Sequence, residues 1–445
     1  MSDHDKNRFF EQFTECFSRR DFVKALVAGS AVSLAALDRL NAEVYQSITS
    51  LNQKYILDES PDGAYWEALR KEFLFEDGLI MMNNGTVGPM PKPVFNTLMK
   101  IFRVQVTNPY DVYNYLPAKK EEVRKKLAGF IGASPEEVVL TSNTTEGLNF
   151  VAAGLDLKEG DEVLVSNFEH PGASNPWSLR AKRSGIKITE VKVGLPHKST
   201  QEIVDAFAAA ITPRTKIIST GHTVYVTGLI MPVREISKMA HEKGVLVLAD
   251  SAHGLGMLDL NMHDLGVDFF ASSPYKWLGA PCGIGLFYVR KEAQSRLWPT
   301  IVSSGWDTYP DARKYETHGQ GADALIYALD DALEFQTRIG KARIEKRIKT
   351  LAAYLKQELR KIPGVKVNTP DDPYLCGGLT AFSLEGVDCA RIVDYVRNKY
   401  NLVVRTIGSK DAGTYAIRVS TPIYISIKEI DMLLEGVRTL SLHKS

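Results

Sequence analysis

Val245-Leu246-Val247-Leu248-Ala249-Asp250, followed after a second apolar run by Ser272-Ser273-Pro274-Tyr275-Lys276-Trp277-Leu278-Gly279, is the stretch on which the reading of this chain turns. Its first residues are apolar up to the final carboxylate, without polar alternation, the pattern of a strand buried on both faces. Open α/β sheets are built of such strands and carry ligand-binding groups at strand carboxyl ends. Asp250 stands at one such end. Lys276 follows the next apolar strand and precedes a glycine-rich strand start.

Outward from this stretch the same pattern repeats. Short apolar runs at 138–141, 162–166, 186–193, 216–220, 245–250, 267–272 and 283–290 predict seven strands. Helical segments at 144–154, 200–211 and 233–243 lie between them, each bounded by Gly, Pro or Thr in capping or stop positions. Alternation of this kind predicts an α/β fold with a large, doubly wound, mainly parallel seven-stranded sheet. After Gly321 the pattern changes to two long helices, 324–339 and 341–361, then strand-like 379–384, 402–406 and 416–420, which predicts a smaller C-terminal α+β domain. The expected divisions are a signal-like segment 1–42, an N-terminal segment 43–90, a large domain 91–320 and a small domain 321–445.

Composition narrows the partners. The 445 residues are 44% hydrophobic, enough for a large core, and 54 basic residues face 53 acidic ones. No basic field is available for nucleic acid, so a small-molecule substrate is expected. Cys16, Cys282, Cys376 and Cys389 have neither zinc-ligand nor disulfide-framework spacing and read as free thiols, with no metal site. Near the N-terminus, Ser18-Arg19-Arg20-Asp21-Phe22-Val23-Lys24 precedes an apolar run over 25–37 and resembles a twin-arginine export signal. That run is too short to span a bilayer, which needs about 20 residues, so no membrane anchor is expected. The export machinery is then a partner and the location periplasmic or extracytoplasmic. An ordinary amphipathic helix in a cytoplasmic protein is the alternative. Cleavage after Ala42 is one possibility, although Leu40 departs from the small-residue pattern.

Lys276 and Asp250 together suit one cofactor chemistry. An aldehyde needs an amine to form a Schiff base, and a pyridine ring acts as an electron sink when its nitrogen stays protonated beside a carboxylate. Pyridoxal 5′-phosphate (PLP) has both needs. An ordinary lysine, with a pKa of about 10.4, is a poor nucleophile at neutral pH, so its pocket must lower that value.

Several motifs fall in order along the chain. They are Asn84-Gly85-Thr86-Val87-Gly88, Thr141-Ser142-Asn143-Thr144-Thr145-Glu146-Gly147-Leu148-Asn149, Glu169-His170-Pro171, Asp250-Ser251-Ala252-His253, Ser273-Pro274-Tyr275-Lys276-Trp277-Leu278 and Arg418-Val419-Ser420. In this order they resemble the class V aminotransferase family of PLP fold type I, the aspartate-aminotransferase-like fold, close to its isopenicillin N epimerase-like branch. The resemblance implies that Thr144, Thr145 and Ser273 bind the cofactor phosphate, although Thr144 alone also reads as a helix N-cap. Tyr275 replaces the usual histidine before the lysine. His170 is implied to stack on the ring and His253 to touch its phenolic oxygen, while Tyr225 stands where relatives can carry Asn. Arg418 is implied to clamp the substrate α-carboxylate, with Asn84 and Gly85 on the substrate side. Gly319, in Tyr315-Glu316-Thr317-His318-Gly319-Gln320, lies on a loop implied to reach the phosphate of a second subunit, with Gln320 replacing Thr; a homodimer follows.

Transamination, epimerisation and β-elimination share the first event, removal of the Cα proton by the freed lysine, so Lys276, Asp250 and Arg418 do not separate them. Desulfuration is disfavoured, because the family's desulfurases need a cysteine before the carboxylate-binding arginine and residues 404–418 contain none. C–S lyase activity and a non-catalytic PLP-binding role are the alternatives. Tyr110, Tyr113 and Tyr115 are candidates for either a substrate pocket or a dimer interface.

Overall fold

The computed structural model describes residues 34–55, 63–194, 199–411 and 413–442, so the Ser18 to Lys24 motif lies outside the described residues. The described residues begin with helices α1 (Leu34–Lys54) and α2 (Ala64–Arg70), strand β1 (Ile80–Met81), and helices α3 (Lys92–Thr107) and α4 (Pro109–Ile131). Alternation then sets in with β2 (Val138–Thr141), α5 (Thr144–Gly154), β3 (Glu162–Ser166), α6 (Pro171–Ser184), β4 (Lys187–Val191), α7 (Thr200–Ala210), β5 (Thr215–Gly221), α8 (Val233–His241) and β6 (Leu246–Asp250). Two single turns, α9 (Met262–Leu265) and α10 (Pro274–Trp277), flank β7 (Phe269–Ser272), and β8 (Gly285–Val289) completes the large sheet. The small domain comprises α11 (Ala324–Ile339), α12 (Lys341–Arg360), β9 (Val365–Val367), β10 (Leu379–Leu384), α13 (Cys389–Tyr400), β11 (Leu402–Val403), β12 (Arg405–Ile407), β13 (Ala416–Ser420) and α14 (Ile427–Leu442). Among the described residues no helix is long and apolar enough to cross a membrane.

The large sheet has the order β2-β8-β7-β6-β5-β3-β4. All neighbours are parallel except at β8, which runs against both β2 and β7. Successive side chains of a strand point to opposite faces, and this sorts the core into two layers. Leu164, Ile218, Val247 and Phe270 pack with Leu127 of α4, Phe207 of α7 and Ile236 of α8. Their neighbours Val163, Ile217, Leu248 and Phe269 pack on the other face with Phe150 of α5 and Trp177 of α6. Each such side chain stabilises the fold by roughly 1.5–3 kcal/mol, which is why the strands read as continuous apolar runs. The exception is β4. It is an edge strand with exposed Lys187 and Glu190, and charge on an edge discourages pairing with other chains.

Two expectations are refined. The apolar run at 402–406 is two strands: β11 pairs parallel with β1, and β12 joins the antiparallel sheet β12-β13-β10-β9. No local pattern announces the β1–β11 pair, whose partners lie more than 300 positions apart. Helix α1 passes without interruption through the expected boundary at residue 42. It is docked there on α3, with Asn41 Nδ2 donating to Pro93 O at 3.3 Å and to Thr97 Oγ1 at 3.1 Å.

Candidate active site

The carboxyl ends of β3, β5, β6 and β7 open onto a cleft of about 560 Å³, its open mouth included, lined by Thr144, Thr145, His170, Asp250, His253 and Lys276, with Ser273, Tyr225 and Tyr275 among the remaining walls. That size suits a small organic ligand. The cleft thus collects the residues singled out for cofactor contact, with Gly319 apart. His318, Gly319 and Gln320 are exposed and do not line it. Tyr110, Tyr113 and Tyr115 are exposed on α4 and do not line it either.

Helix α5 begins at the cleft floor. Its N-cap is Asn143, whose Oδ1 accepts from Glu146 N at 3.1 Å. Thr144 is therefore not the cap, and its hydroxyl pairs with Ser273 instead. Ser273 Oγ lies 2.7 Å from Thr144 Oγ1 and accepts from Thr144 N at 3.2 Å. Two hydroxyls converging on the positive end of an eleven-residue helix make an anion cradle.

Asp250 is buried at the end of β6. Its Oδ1 accepts from Ala252 N at 3.1 Å, and among the described residues no cation lies within ion-pair distance. Burial pushes its carboxyl above the usual range, against the pull of Ala252 N, Lys276 and His170. A protonated ring nitrogen is what this carboxylate lacks. Glu169 is buried nearby, and its Oε1 accepts from Gly221 N at 3.1 Å. Burial, with Asp250 adding to it, pushes Glu169 up to about 7.

His170 caps α6: its Nδ1 accepts from Gly172 N at 3.0 Å. That bond leaves the ring proton on Nε2, and burial lowers the pKa, so the imidazole is neutral. Tyr225 meets it edge-on, 4.9 Å between centroids. His253 is buried and neutral, its pKa lowered by burial and then by Lys276; Trp277 Nε1 donates to its Nδ1 at 3.4 Å.

Lys276 sits on the single turn α10 at the end of β7. Burial, opposed by Asp250 and assisted by Arg418 and Arg405, brings its amine down to about 8. A sizeable fraction is then neutral and nucleophilic near physiological pH. Arg418, on β13, enters from the small domain. Nη1 donates to Tyr225 O at 3.4 Å and Nη2 to Thr86 Oγ1 at 3.3 Å, while Nε is buried without a partner. The loop Asn83 to Gly88 is wedged between the two cations. Asn84 Nδ2 donates to Lys276 O at 2.9 Å, Gly88 N to Tyr275 O at 2.9 Å, and Gly85 N to Ser420 Oγ at 3.0 Å.

Comparison with known proteins agrees with this geometry. The family model described as aminotransferase class-V matches residues 81–433. The chain belongs to that family. Isopenicillin N epimerase of Amycolatopsis lactamdurans is 30% identical over 397 residues, covering 84% of this chain and 98% of that protein. A probable cysteine desulfurase of Methanothermobacter thermautotrophicus is 27% identical over 402 residues, covering 84% and 98%. Among solved structures, the cysteine desulfurase CsdA of Escherichia coli superposes with a TM-score of 0.74 at 25% identity, covering 84% of this chain and 98% of that one. The fold of this class-V chain is PLP fold type I.

The residues present fit PLP. Hydroxyls and a helix terminus await a phosphate, an uncompensated carboxylate awaits a cationic ring nitrogen, and a lowered amine awaits an aldehyde. Two residues escaped sequence reasoning. Glu169 was visible only as part of a motif, and Arg405 carried no local signal, because its nearness to Arg418 comes from cross-strand pairing.

Proposed function

We propose that this chain is a PLP-dependent enzyme that removes the Cα proton of an amino acid, or of a metabolite containing one, and returns a proton to the same carbon, an epimerisation. The observation that carries this reading is Lys276, a buried amine at about 8, set between the Asp250 carboxylate and a guanidinium with an unpartnered buried Nε. PLP, held at its phosphate by Thr144, Thr145 and Ser273 and at its ring nitrogen by Asp250, supplies an electron sink that acidifies the α-hydrogen. Arg418 binds the α-carboxylate through its fork of donors and fixes which bond faces the sink. Lys276 takes the proton from one face of Cα, and the configuration inverts when a proton is returned to the opposite face. The lysine's pKa near the working pH suits both directions of transfer. His170, neutral and held by the Gly172 amide, keeps one ring face covered.

Epimerisation is favoured over desulfuration by the similarity to isopenicillin N epimerases and by the cysteines. Residues 404–418 contain none. Among the described cysteines Cys376 and Cys389 are buried, and burial pushes Cys389 up to about 11. Such thiols are poor nucleophiles.

The test is incubation with candidate amino acids in deuterium oxide. Deuterium at Cα with loss of optical purity supports the reading. Release of a keto acid with cofactor conversion means transamination, and release of a side-chain fragment means elimination. Absence of Cα exchange, or exchange that survives Lys276→Ala, overturns it.

A further inference from the structure

Arg405 and Arg418 are direct partners across the β12–β13 ladder. Arg405 Nη1 and Arg418 Nη2 both donate to Thr86 Oγ1, each at 3.3 Å, so the two guanidinium groups flank one hydroxyl. Arg418 is buried, 4% exposed, while Arg405 is exposed. Like charges directly opposite on a sheet repel. Among the described residues neither guanidinium has a carboxylate within ion-pair distance. Elsewhere the chain neutralises its paired cations: Arg124 and Lys120 share Glu316, and Lys119 and Lys126 share Asp330. Here the repulsion stands. Arg405 lowers the proton affinity of Arg418, Lys276 and His170, which places its charge within reach of the cleft. An amino acid with one carboxylate neutralises Arg418 and leaves Arg405 uncompensated.

We propose that Arg405 binds a second carboxylate, carried on the substrate side chain, so that the enzyme selects amino acids with two acidic groups. The inference rests on the proposed function for the role of Arg418 and adds the substrate class. The α-carboxylate passes inward to Arg418, with its vacant Nε. The side-chain carboxylate stays at the mouth on the exposed fork, where water solvates it in part. Thr86 spaces the two forks and holds them apart. The side chain between the carboxylates lies along Thr86 and the cleft rim, so an acyclic acid with a short aliphatic spacer fits the two cations.

The test pairs near-isosteric substrates, glutamate with glutamine and aspartate with asparagine, and measures kcat/KM on the holoenzyme. Preference for the acid of about tenfold or more is expected. Arg405→Gln should bring that ratio to within about threefold, and Arg405→Lys should restore part of it, since a lysine keeps the charge without the fork. A second readout uses unreactive probes: glutarate should inhibit competitively, more weakly in the Arg405→Gln variant by about tenfold, with butyrate affected far less. Equal use of acid and amide by the wild type, or an equal fall for both in the variant, overturns the proposal. If amino acids react without acidic preference, this inference fails and the catalytic reading stands. If glutarate binds through Arg405 while no amino acid exchanges its α-proton, the catalytic reading fails and the anion site stands.

Discussion

Gly85 and Arg418 are packed so closely that a β-carbon on residue 85 would stand 2.5 Å from the guanidinium carbon. No real side chain tolerates that approach, and the Arg418 guanidinium is held by Tyr225 O and Thr86 Oγ1. Gly85→Ala therefore displaces the Arg418 guanidinium, the proposed carboxylate clamp, while leaving the Thr144–Ser273 hydroxyl pair in place. Steady-state kinetics should show KM for the amino acid raised about tenfold or more, with the near-violet absorption of bound cofactor retained. Loss of that absorption with unchanged KM would refute the assignment of the Gly85 contact.

Asp250→Asn keeps the shape of the side chain and removes its charge. A hydrogen bond to a charged group contributes about 1.5–3 kcal/mol, so the variant should retain PLP roughly 10- to 150-fold less tightly. Equilibrium dialysis against free cofactor reads this directly. Unaltered affinity would dissociate Asp250 from the ring nitrogen.

Lys276 makes the apoprotein's stability depend on pH in a definite direction. Its folded pKa of about 8 lies below the ordinary value near ~10.4, so the fold disfavours the ammonium form. The cost is present in full below pH ~8 and is relieved as pH rises toward ~10.4, where the unfolded chain also loses its proton. At pH 7, Lys276→Met apoprotein should be more stable than wild type by on the order of 1–3 kcal/mol in urea unfolding. The gap should close by pH ~10.5. A gap that widens with pH would have the sign wrong.

The Arg124–Glu316 pair is a structural counterpart with no place in the cleft. Glu316 Oε1 accepts from Arg124 Nη1 and from Leu140 N, both at 2.5 Å, and Lys120 sits at the other oxygen. Burial works against the charge, yet the Arg124 and Lys120 cations hold the carboxyl down to about 2. Glu316→Gln strips the buried guanidinium of its two-pronged partner and leaves it, among the described carboxylates, only Glu121, 3.0 Å from Nε; breaking a buried pair costs about 3–5 kcal/mol. Thermal unfolding should show a large fall in Tm with the chemistry of any folded fraction intact.

The proposed export rests on the Ser18 to Lys24 motif and the apolar run over 25–37 that follows it. Cell fractionation of the full chain and of an Arg19→Lys, Arg20→Lys double variant should find the first outside the cytoplasm and the second retained. Both in the cytoplasm would end that proposal.

The parts of this molecule that were legible in its sequence are those where short stretches carry their own geometry. Strands β2, β10 and β13 and helices α5 and α11 coincide with the expected bounds, because two-sided burial and capping residues mark them locally. Asp250, Thr144 and Lys276 could be found for the same reason, each standing at or shortly after a strand end. Arg405 could not, since its meaning depends on lying opposite Arg418 in a ladder whose register no local pattern sets. The β1–β11 pair was hidden too, and β4 read as a buried strand although it is a charged edge. Asn143 as the cap of α5 was settled by one hydrogen bond, Glu146 N to its Oδ1.

The short wedge from Asn83 to Gly88 is bonded on one side to Ser420, two residues from the carboxylate clamp, and on the other to the peptide oxygens of Tyr275 and Lys276. Its glycines leave no slack: a β-carbon on residue 88 would sit 2.3 Å from Lys276 O. The strand that carries Arg418 and the main chain that carries Lys276 are thereby joined through one short segment. Under the proposed reading, a substrate carboxylate on Arg418 and the amine of Lys276 are tied through this one segment, so recognition and proton transfer share one lever rather than two independent grips.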